Sequence, residues 1–583
     1  MMKLSDHFLI KHPFWFYVRR HPRSVFIGML ALFATNALDA AYPLLLKTGI
    51  DQIEKRAALD EVGRTAFLFF VLMASLAITR YGWRIGFGYF HSHAAEHIRQ
   101  KIFSHLTFMG PKFFNKNPVG ELMSLLTSDV QSFRQAIGPG LLILADGIMI
   151  ILMVFPIMWS LNADWTLNTL IFLPAVPFLI WKVMRLIHAN YKTQQDRFSD
   201  VTAFAQENIG GIRVVKSYAL EDRRLSQFDE ISQSFEKACN RVAKVDSMWG
   251  PVMQFGIASG SVILLFIAQD DILSGAASIG TFVAFHRYIQ KMVWPMSALG
   301  MGLSMFQKGW ASFDRIKDVL TQESNIVDQG QLSLEKIEKI QFEDVSFTYP
   351  ESQVPSLSHV SFTISRGDRL GIIGPVGAGK TTLLNLLLRL YSPTSGRILI
   401  NDLPIESYTL ESLRAALVLI PQEPFLFSDS VTGNLSFART VNTIEQNNLL
   451  KTVDLFEEVA NMPEKENTLL GERGVNLSGG QKQRLAIARG LACNSEVIIL
   501  DDSLSAVDTK TENKIESLLQ QHSSCIRIVV AHRLSSLKAM QKVLVLKDGQ
   551  VEAFGDKDYV ARTSTTYREV EKMQNHSTDL ESL

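Results

Sequence analysis

The sequence predicts a chain in two parts: an all-α membrane bundle of six helices with long cytoplasmic extensions, fused to an α/β domain. Three observations carry that prediction. Six apolar stretches, at 24–46, 65–87, 139–161, 165–187, 249–268 and 278–302, fill the first half of the chain. Beyond residue 338 short β-rich runs alternate with helical ones. One glycine-rich segment, "GPVGAGKTT" at 374–382, joins a β-rich run to a helical one.

At 583 residues the chain is too long for one domain. The reading divides it into an interfacial helix at 1–23, a transmembrane domain at 24–306, a charged linker at 307–338, a nucleotide-binding domain at 339–570 and a polar tail at 571–583. Lys plus Arg and Asp plus Glu both number 58, so the balance implies no nucleic-acid partner. Cys239, Cys493 and Cys525 stand far apart and form neither a ligand cluster nor a disulfide framework.

Each apolar stretch is long enough for a membrane span, since ~20 helical residues cross ~30 Å of hydrocarbon. Runs such as "GLLILADGIMIILMVFPIMW" are too many and too greasy for a water-soluble core. The leader carries Lys3, Lys11, Arg19, Arg20 and Arg23 against Asp6, whereas the loops at 162–164 and 269–277 have no Lys or Arg. The positive-inside rule then places both termini in the cytoplasm. "HPFWFYVRR" reads as an amphipathic helix at the inner interface rather than a signal peptide. The polar stretches 88–136 and 188–246 have helical periodicity, so spans two to five are expected to continue into the cytoplasm.

In the second half "IQFEDVSFTY", "RLGIIG", "GRILIN", "ALVLIP", "EVIIL", "IRIVVAH" and "KVLVLKDGQVEAFG" are expected strands. "GPVGAGKTT" follows one of them and precedes "TLLNLLLRLY", the context of a phosphate-binding loop. Gly374, Gly377, Ala378 and Gly379 let successive N–H groups face phosphate, and the helix start adds its dipole. Lys380 is expected to reach the β- and γ-phosphates of ATP, and Thr381, followed by Thr382, to meet Mg²⁺. "VIILD" is a buried strand ending in a carboxylate, which places Asp501 beside the metal. Tyr349, at the end of "VSFTY", is a candidate platform for adenine. "NLSGGQKQR" opens a second helix with small residues, and one ATP does not need two such cradles. Ser478, Gly479, Gly480 and Gln481 are therefore expected to close over ATP held by a partner chain.

These motifs, with "ILDD", "SAVD" and "AHRLSS" in this order, resemble an ATP-binding cassette. Six spans before one cassette look like half of an exporter-type ABC transporter, most similar to multidrug-resistance-like exporters that work as pairs of different subunits. "FFNKNPVGELMSLLTSDVQSFR", "ENIGGIRVVKSYALE" and "GERGVNLSGGQKQR" extend the likeness over nearly the whole chain. The resemblance implies that Gln422 touches Mg²⁺ and the transmembrane half. It implies that Asp508 lies across the dimer seam and that His532 contacts the γ-phosphate. It also implies motion carried by short helices near 112–120 and 209–217. A polar residue ending an apolar strand supports His532 independently.

The family pattern has glutamate where this chain has Asp502. Losing one methylene removes up to ~1.5 Å of reach, and a misplacement near 1 Å costs ~100-fold. Mg-ATP binding should survive and turnover should be slow. A heterodimer with a second half-transporter is favoured, and a homodimeric lipid flippase or lipid-linked exporter is the alternative. Asn36, Asp39, Arg80, Arg84 and Asp146 lie within or at the ends of spans, where charge is costly. Together they suggest a cavity that is not wholly apolar, without naming a substrate; the exporter resemblance implies a small amphipathic or lipophilic one. The expected location is a bacterial inner membrane, in contact with the lipid bilayer.

Overall fold

The structure is a computed structural model of the protein and describes residues 4–170, 175–350, 352–504, 509–521, 525–531, 537 and 539–572. The chain divides into two compact units, Met1–Thr107 with Pro118–Gln322, and Phe108–Asn117 with Glu323–Leu583.

Among the described residues the first unit contains helices and no strand. Pro13 and Pro22 lack the backbone N–H that would continue a helix, so the leader breaks into Leu4–Lys11 and Pro13–Arg20 before the long helix Pro22–Glu54. Leu59–Thr107 is a single helix of 49 residues. At 1.5 Å per residue it is about two and a half times as long as ~30 Å of hydrocarbon requires. That is the extension expected of the second span. Val119–Leu161 follows, with π-helical turns at Leu125–Asp129 and Ala136–Gly140. The second contains Pro139, whose missing N–H disturbs the regular ladder.

Among the described residues four helices are long and apolar enough to cross a membrane: Pro22–Glu54, Leu59–Thr107, Val119–Leu161 and Glu221–Leu273. The expected span 165–187 runs across residues 171–174, which lie outside the described residues. The expected span 278–302 lies in the helix Ile279–Leu320, which is long but too polar to join the four. That helix also runs through much of the expected linker. The paired Gly210 and Gly211, which fit a tight turn by sequence, mark a break between Ala175–Gly210 and Ile212–Ser217, without positive φ at either.

Close helix approach rests on small residues. A Cβ on Gly86 would sit 2.9 Å from Gly28 Cα, so glycine at both positions lets Pro22–Glu54 and Leu59–Thr107 touch. Trp165, Phe285 and Tyr288 are fully buried in the same unit. Tyr288 donates its hydroxyl to Ala40 O at 2.7 Å, and Trp165 Nε1 donates to Asp271 Oδ2 at 2.8 Å.

The second unit has two sheets. Strands β1 (Lys339–Phe347), β2 (Leu357–Ser365), β4 (Ser395–Ile400) and β5 (Leu403–Pro404) form an antiparallel sheet in the order β2-β1-β4-β5. Strands β3 (Arg369–Ile373), β6 (Leu417–Ile420), β7 (Val497–Asp501), β8 (Ile526–Val530), β9 (Lys542–Lys547) and β10 (Gln550–Asp556) form the second, in the order β10-β9-β3-β8-β7-β6. Five of the six run parallel, and β10 closes the edge as a hairpin with β9. The expected strand segments all fall on these strands. β2 was absent from the expectation, although "LSHVSFTIS" alternates apolar and polar residues. Helix Pro111–Lys116 belongs to this unit, and Asn115 Nδ2 donates to Tyr391 Oη at 3.3 Å.

Candidate functional site

Pairing in the parallel sheet decides where the site falls. Asp501 stands opposite Val530, while β3 lies on the other side of β8. The loop after β3, the carboxylates ending β7 and the chain leaving β8 therefore share one edge, where open α/β sheets bind ligands. Asp502 N donates to Val530 O at 2.9 Å, and Ala531 N donates to Ile372 O at 3.2 Å, fastening that edge. His532 comes next in sequence, but it lies outside the described residues, as does Asp508.

The glycines of the loop are required by space as well as by backbone angle. Gly377 and Gly379 have φ of 84° and 96°. A Cβ on Gly379 would sit 2.5 Å from Ser356 O, and one on Gly374 would sit 2.2 Å from Leu546 O. Ala378 is buried. Helix Lys380–Leu387 starts directly after Gly379. Lys380 is buried and folds back onto the loop, donating to Gly374 O at 2.7 Å and to Pro375 O at 2.9 Å. Burial presses its ammonium below the usual lysine range, and the charges of Asp501 and Asp502 oppose that shift. A glycine-rich turn, a helix start and a buried cation beside two carboxylates suit a polyphosphate with a divalent metal.

The two threonines separate. Thr381 is exposed, whereas Thr382 is buried with its hydroxyl 3.3 Å from Tyr349 Oη. Tyr349 is half-buried and meets Phe347 and Tyr391 edge-on, at centroid distances of 4.9 and 5.3 Å. Gln422 is exposed, and its Nε2 donates to Asp502 Oδ2 at 3.3 Å. Asp502 has a φ of 45°, uncommon for a residue with a Cβ. Sequence reasoning missed Ser503, which is fully buried with no hydrogen-bond partner for Oγ among the described residues.

Ser478 caps helix Gly479–Ala492 in a reciprocal box. Its N–H donates to Gln481 Oε1 at 2.7 Å, and Gln481 N donates to Ser478 Oγ at 3.3 Å. Gln481 Nε2 donates onward to Glu458 Oε2 at 2.6 Å, and Arg484 pairs with the same carboxylate at 2.7 Å. The Gln481 side chain thus holds the helix start in place. Around Gly479 there is open space, and Ser478 and Gly479 are exposed.

In the first unit the polar span residues also meet. Asp39 pairs with Lys291 and, at 3.5 Å, with Arg80. Asn36 Nδ2 donates to Asp146 Oδ1 at 3.0 Å, and Trp294 Nε1 donates to Asp146 Oδ2 at 3.2 Å. They line a cavity of 380 Å³. Arg84 is not part of its lining; it stacks near Trp83 at 5.6 Å. Lys291 and Trp294 were not expected from the sequence, although a lysine inside an apolar stretch meets the same criterion as Asp39.

Residues 25–296 match the ABC transporter transmembrane region, and residues 357–505 match the ABC transporter cassette. A probable multidrug resistance ABC transporter ATP-binding/permease protein, YheI of Bacillus subtilis (strain 168), is 33% identical over 550 residues, covering 93% of this chain and 94% of that one. The multidrug resistance-like ATP-binding protein MdlA of Escherichia coli (strain K12) is 31% identical over 567 residues, covering 96% and 95%. An ATP-dependent lipid A-core flippase of Vibrio cholerae serotype O1 is 28% identical over 569 residues, covering 96% and 97%. A solved bacterial Atm1-family ABC exporter with ATP bound shares the fold at a TM-score of 0.77 and 24% identity, covering 95% of this chain and 98% of that one. With a helical membrane domain fused to a nucleotide-binding domain, the chain belongs to the ABC transporters, as an integral membrane exporter that couples ATP hydrolysis to transport.

Proposed function

We propose that this chain is one half of a heterodimeric exporter and that its own ATP site is the slower of two. The observation that carries the proposal is Asp502. It follows a parallel strand ending in Asp501, and its side chain accepts a hydrogen bond from Gln422. A carboxylate shortened by one methylene stands ~1 Å or more from where glutamate would orient water, which at ~100-fold per ångström is worth ~2.7 kcal/mol of barrier.

In this reading Gly374, Gly377, Ala378 and Gly379 present N–H groups to phosphate, and Lys380 neutralises its charge. Thr381, Gln422 and Asp501 would hold Mg²⁺, which would supply charge neutralisation at the phosphates. Tyr349 and Thr382 flank the nucleotide, and His532 lies beside its terminal phosphate. Ser478, Gly479 and Gly480, placed by Gln481, close over the partner's ATP, with Asp508 at the seam. Six spans with cytoplasmic termini then alternate between inward- and outward-facing states as the cassettes close and part. The multidrug-resistance relatives favour a small amphipathic or lipophilic substrate and a bacterial inner membrane.

A homodimeric lipid flippase is the second reading, favoured by the lipid A-core flippase among the relatives. Co-expression of two differently tagged copies tests the pairing. The heterodimer reading expects one tag not to retain the other after solubilisation. Stoichiometric co-purification of both tags, with ATPase activity, would establish the homodimer.

A further inference from the structure

Helix Gly479–Ala492 begins with a capping box, and a residue outside the box orients it. Gln481 uses both ends of its side-chain amide. Oε1 accepts from Ser478 N at 2.7 Å, and Nε2 donates to Glu458 Oε2 at 2.6 Å. The two ends of an amide have nearly the same shape, so packing alone does not decide which way it faces. An ionised carboxylate only accepts, and Glu458 therefore admits only the Nε2 end. Oε1 is left facing Ser478 N, as the box requires.

Glu458 is itself held in place. It lies in the short helix Phe456–Ala460, and Leu455 and Val459 near it are buried in the same core as Leu485 of the capped helix. Its other oxygen, Oε1, accepts from Arg484 at 2.7 Å, and Arg484 also donates to Asp454 O at 2.7 Å. The arginine offsets the negative charge of Glu458, which would otherwise oppose a phosphate at the nearby helix start. The ordering extends to the hydroxyl of Ser478. Its Oγ accepts from Gln481 N at 3.3 Å, which leaves the O–H to donate elsewhere, and the space around Gly479 is open.

We propose that Glu458 is a positioning residue for ATP hydrolysis. It fixes the polarity of the Gln481 amide, and the amide fixes Ser478. Ser478 and Gly479 then meet the γ-phosphate of ATP on the partner chain in one arrangement. Glu458 acts through Gln481 and not by contact with nucleotide. The proposal rests on the reading in which this helix start closes over the partner's ATP, and it holds whether that partner is a second copy or a different half-transporter.

Steady-state ATPase of the purified, assembled transporter is measured across ATP concentrations, together with ATP retention at this chain's own loop. Glu458→Gln is nearly isosteric, yet it no longer selects which end of the Gln481 amide it meets. A misplacement near 1 Å costs up to ~100-fold, and a partly reversed amide should lower kcat by ~10-fold. The helix start meets nucleotide only on closure, so ATP retention at the loop of Lys380 should be unchanged. Adding Gln481→Glu to Glu458→Gln exchanges amide and carboxylate and keeps the net charge of the cluster. The new carboxylate accepts from Ser478 N in either orientation, so severalfold of the lost rate should return. Gln481→Glu alone sets two carboxylates against each other and should be slower than the double variant. Near-wild-type kcat in Glu458→Gln, or a loss that the exchange does not recover, overturns the proposal and confines Glu458 to packing. Ser478→Asp separates the two levels. If it abolishes activity while Glu458→Gln does not, the closure reading stands and the assignment of Glu458 fails. If Ser478→Asp keeps its activity, the closure reading fails and the assignment of Glu458 falls with it.

Discussion

The side-chain amide of Gln422 donates a 3.3 Å hydrogen bond to Oδ2 of Asp502, joining the loop after β6 to the end of β7. One consequence is energetic coupling between the two positions. Residues that share a hydrogen bond couple by ~0.5–3 kcal/mol in double-mutant cycles. Gln422→Ala and Asp502→Ala should therefore be non-additive in nucleotide affinity at this chain's loop. Additivity to within ~0.5 kcal/mol would show that the bond is idle.

The phosphate loop should tolerate no side chain at Gly379. A Cβ there would meet Ser356 O at 2.5 Å, in a backbone conformation with φ of 96°. Gly379→Ala combines a left-handed penalty of ~1–2 kcal/mol with overpacking of ~1–3 kcal/mol. Thermal unfolding of the purified protein should show the loss. Lys380→Ala, by contrast, should leave the melting curve nearly in place and abolish nucleotide retention at this loop. A Lys380→Ala protein that still retains ATP would mean that the buried cation does not serve phosphate.

Much of this site was legible because its residues lie in contiguous motifs at strand ends. Gly374 to Lys380 could be read from spacing alone, since a glycine run set between a strand and a helix rarely does anything but cradle phosphate. The Gln422–Asp502 contact could not, because 80 residues separate the partners and only sheet order brings them together. Lys291 and Asp39, 252 residues apart, are likewise brought together only by the packing of two helices. The β2 strand escaped because its polar positions diluted the apolar signal. The role of Gln481 escaped because a capping box and a ligand contact use the same residue types.

Ser478 caps its helix, and substitution can separate that role from the proposed one of closing over a partner's ATP. Asp caps a helix about as well as Ser, whereas Ala costs ~1 kcal/mol. Ser478→Asp should therefore preserve stability but set a carboxylate against the partner's γ-phosphate, and ATPase activity of the assembled transporter should collapse. Ser478→Ala should lose stability and keep more activity than Ser478→Asp. The reverse ranking would confine Ser478 to helix capping.

Acid should loosen the C-terminal end of the cassette. Burial disfavours the charged form of Glu552, but hydrogen bonds from Thr565 and Thr566 outweigh it and hold its pKa down to about 2. A depressed carboxylate adds stability above its unfolded pKa, ~4.3, and loses it as pH falls toward its folded value. Unfolding midpoints measured from pH 5 to pH 3 should therefore drop more steeply in wild type than in Glu552→Gln. Parallel curves would count against the contribution of Glu552.

Restoring the missing methylene at position 502 is the most direct test of asymmetry. Asp502→Glu returns the length that the family pattern carries, with Lys380, Thr381 and Asp501 unchanged. If reach alone limited this site, the gain would approach ~100-fold. The site also needs the partner's signature residues to close over it, and a weak site in a paired exporter is expected to lack them. The longer side chain must also displace the Gln422 amide from its bond with the carboxylate. The expected gain in steady-state ATPase is therefore below ~10-fold, less than ~1.4 kcal/mol of barrier. If the chain pairs with a different half-transporter as proposed, Asp502→Asn should cost little, because the partner's site would perform most of the hydrolysis. ATP bound at this chain's loop should correspondingly outlast ATP at the partner's. Loss of nearly all activity in Asp502→Asn would establish aspartate as the working residue and favour two equivalent sites in a homodimer.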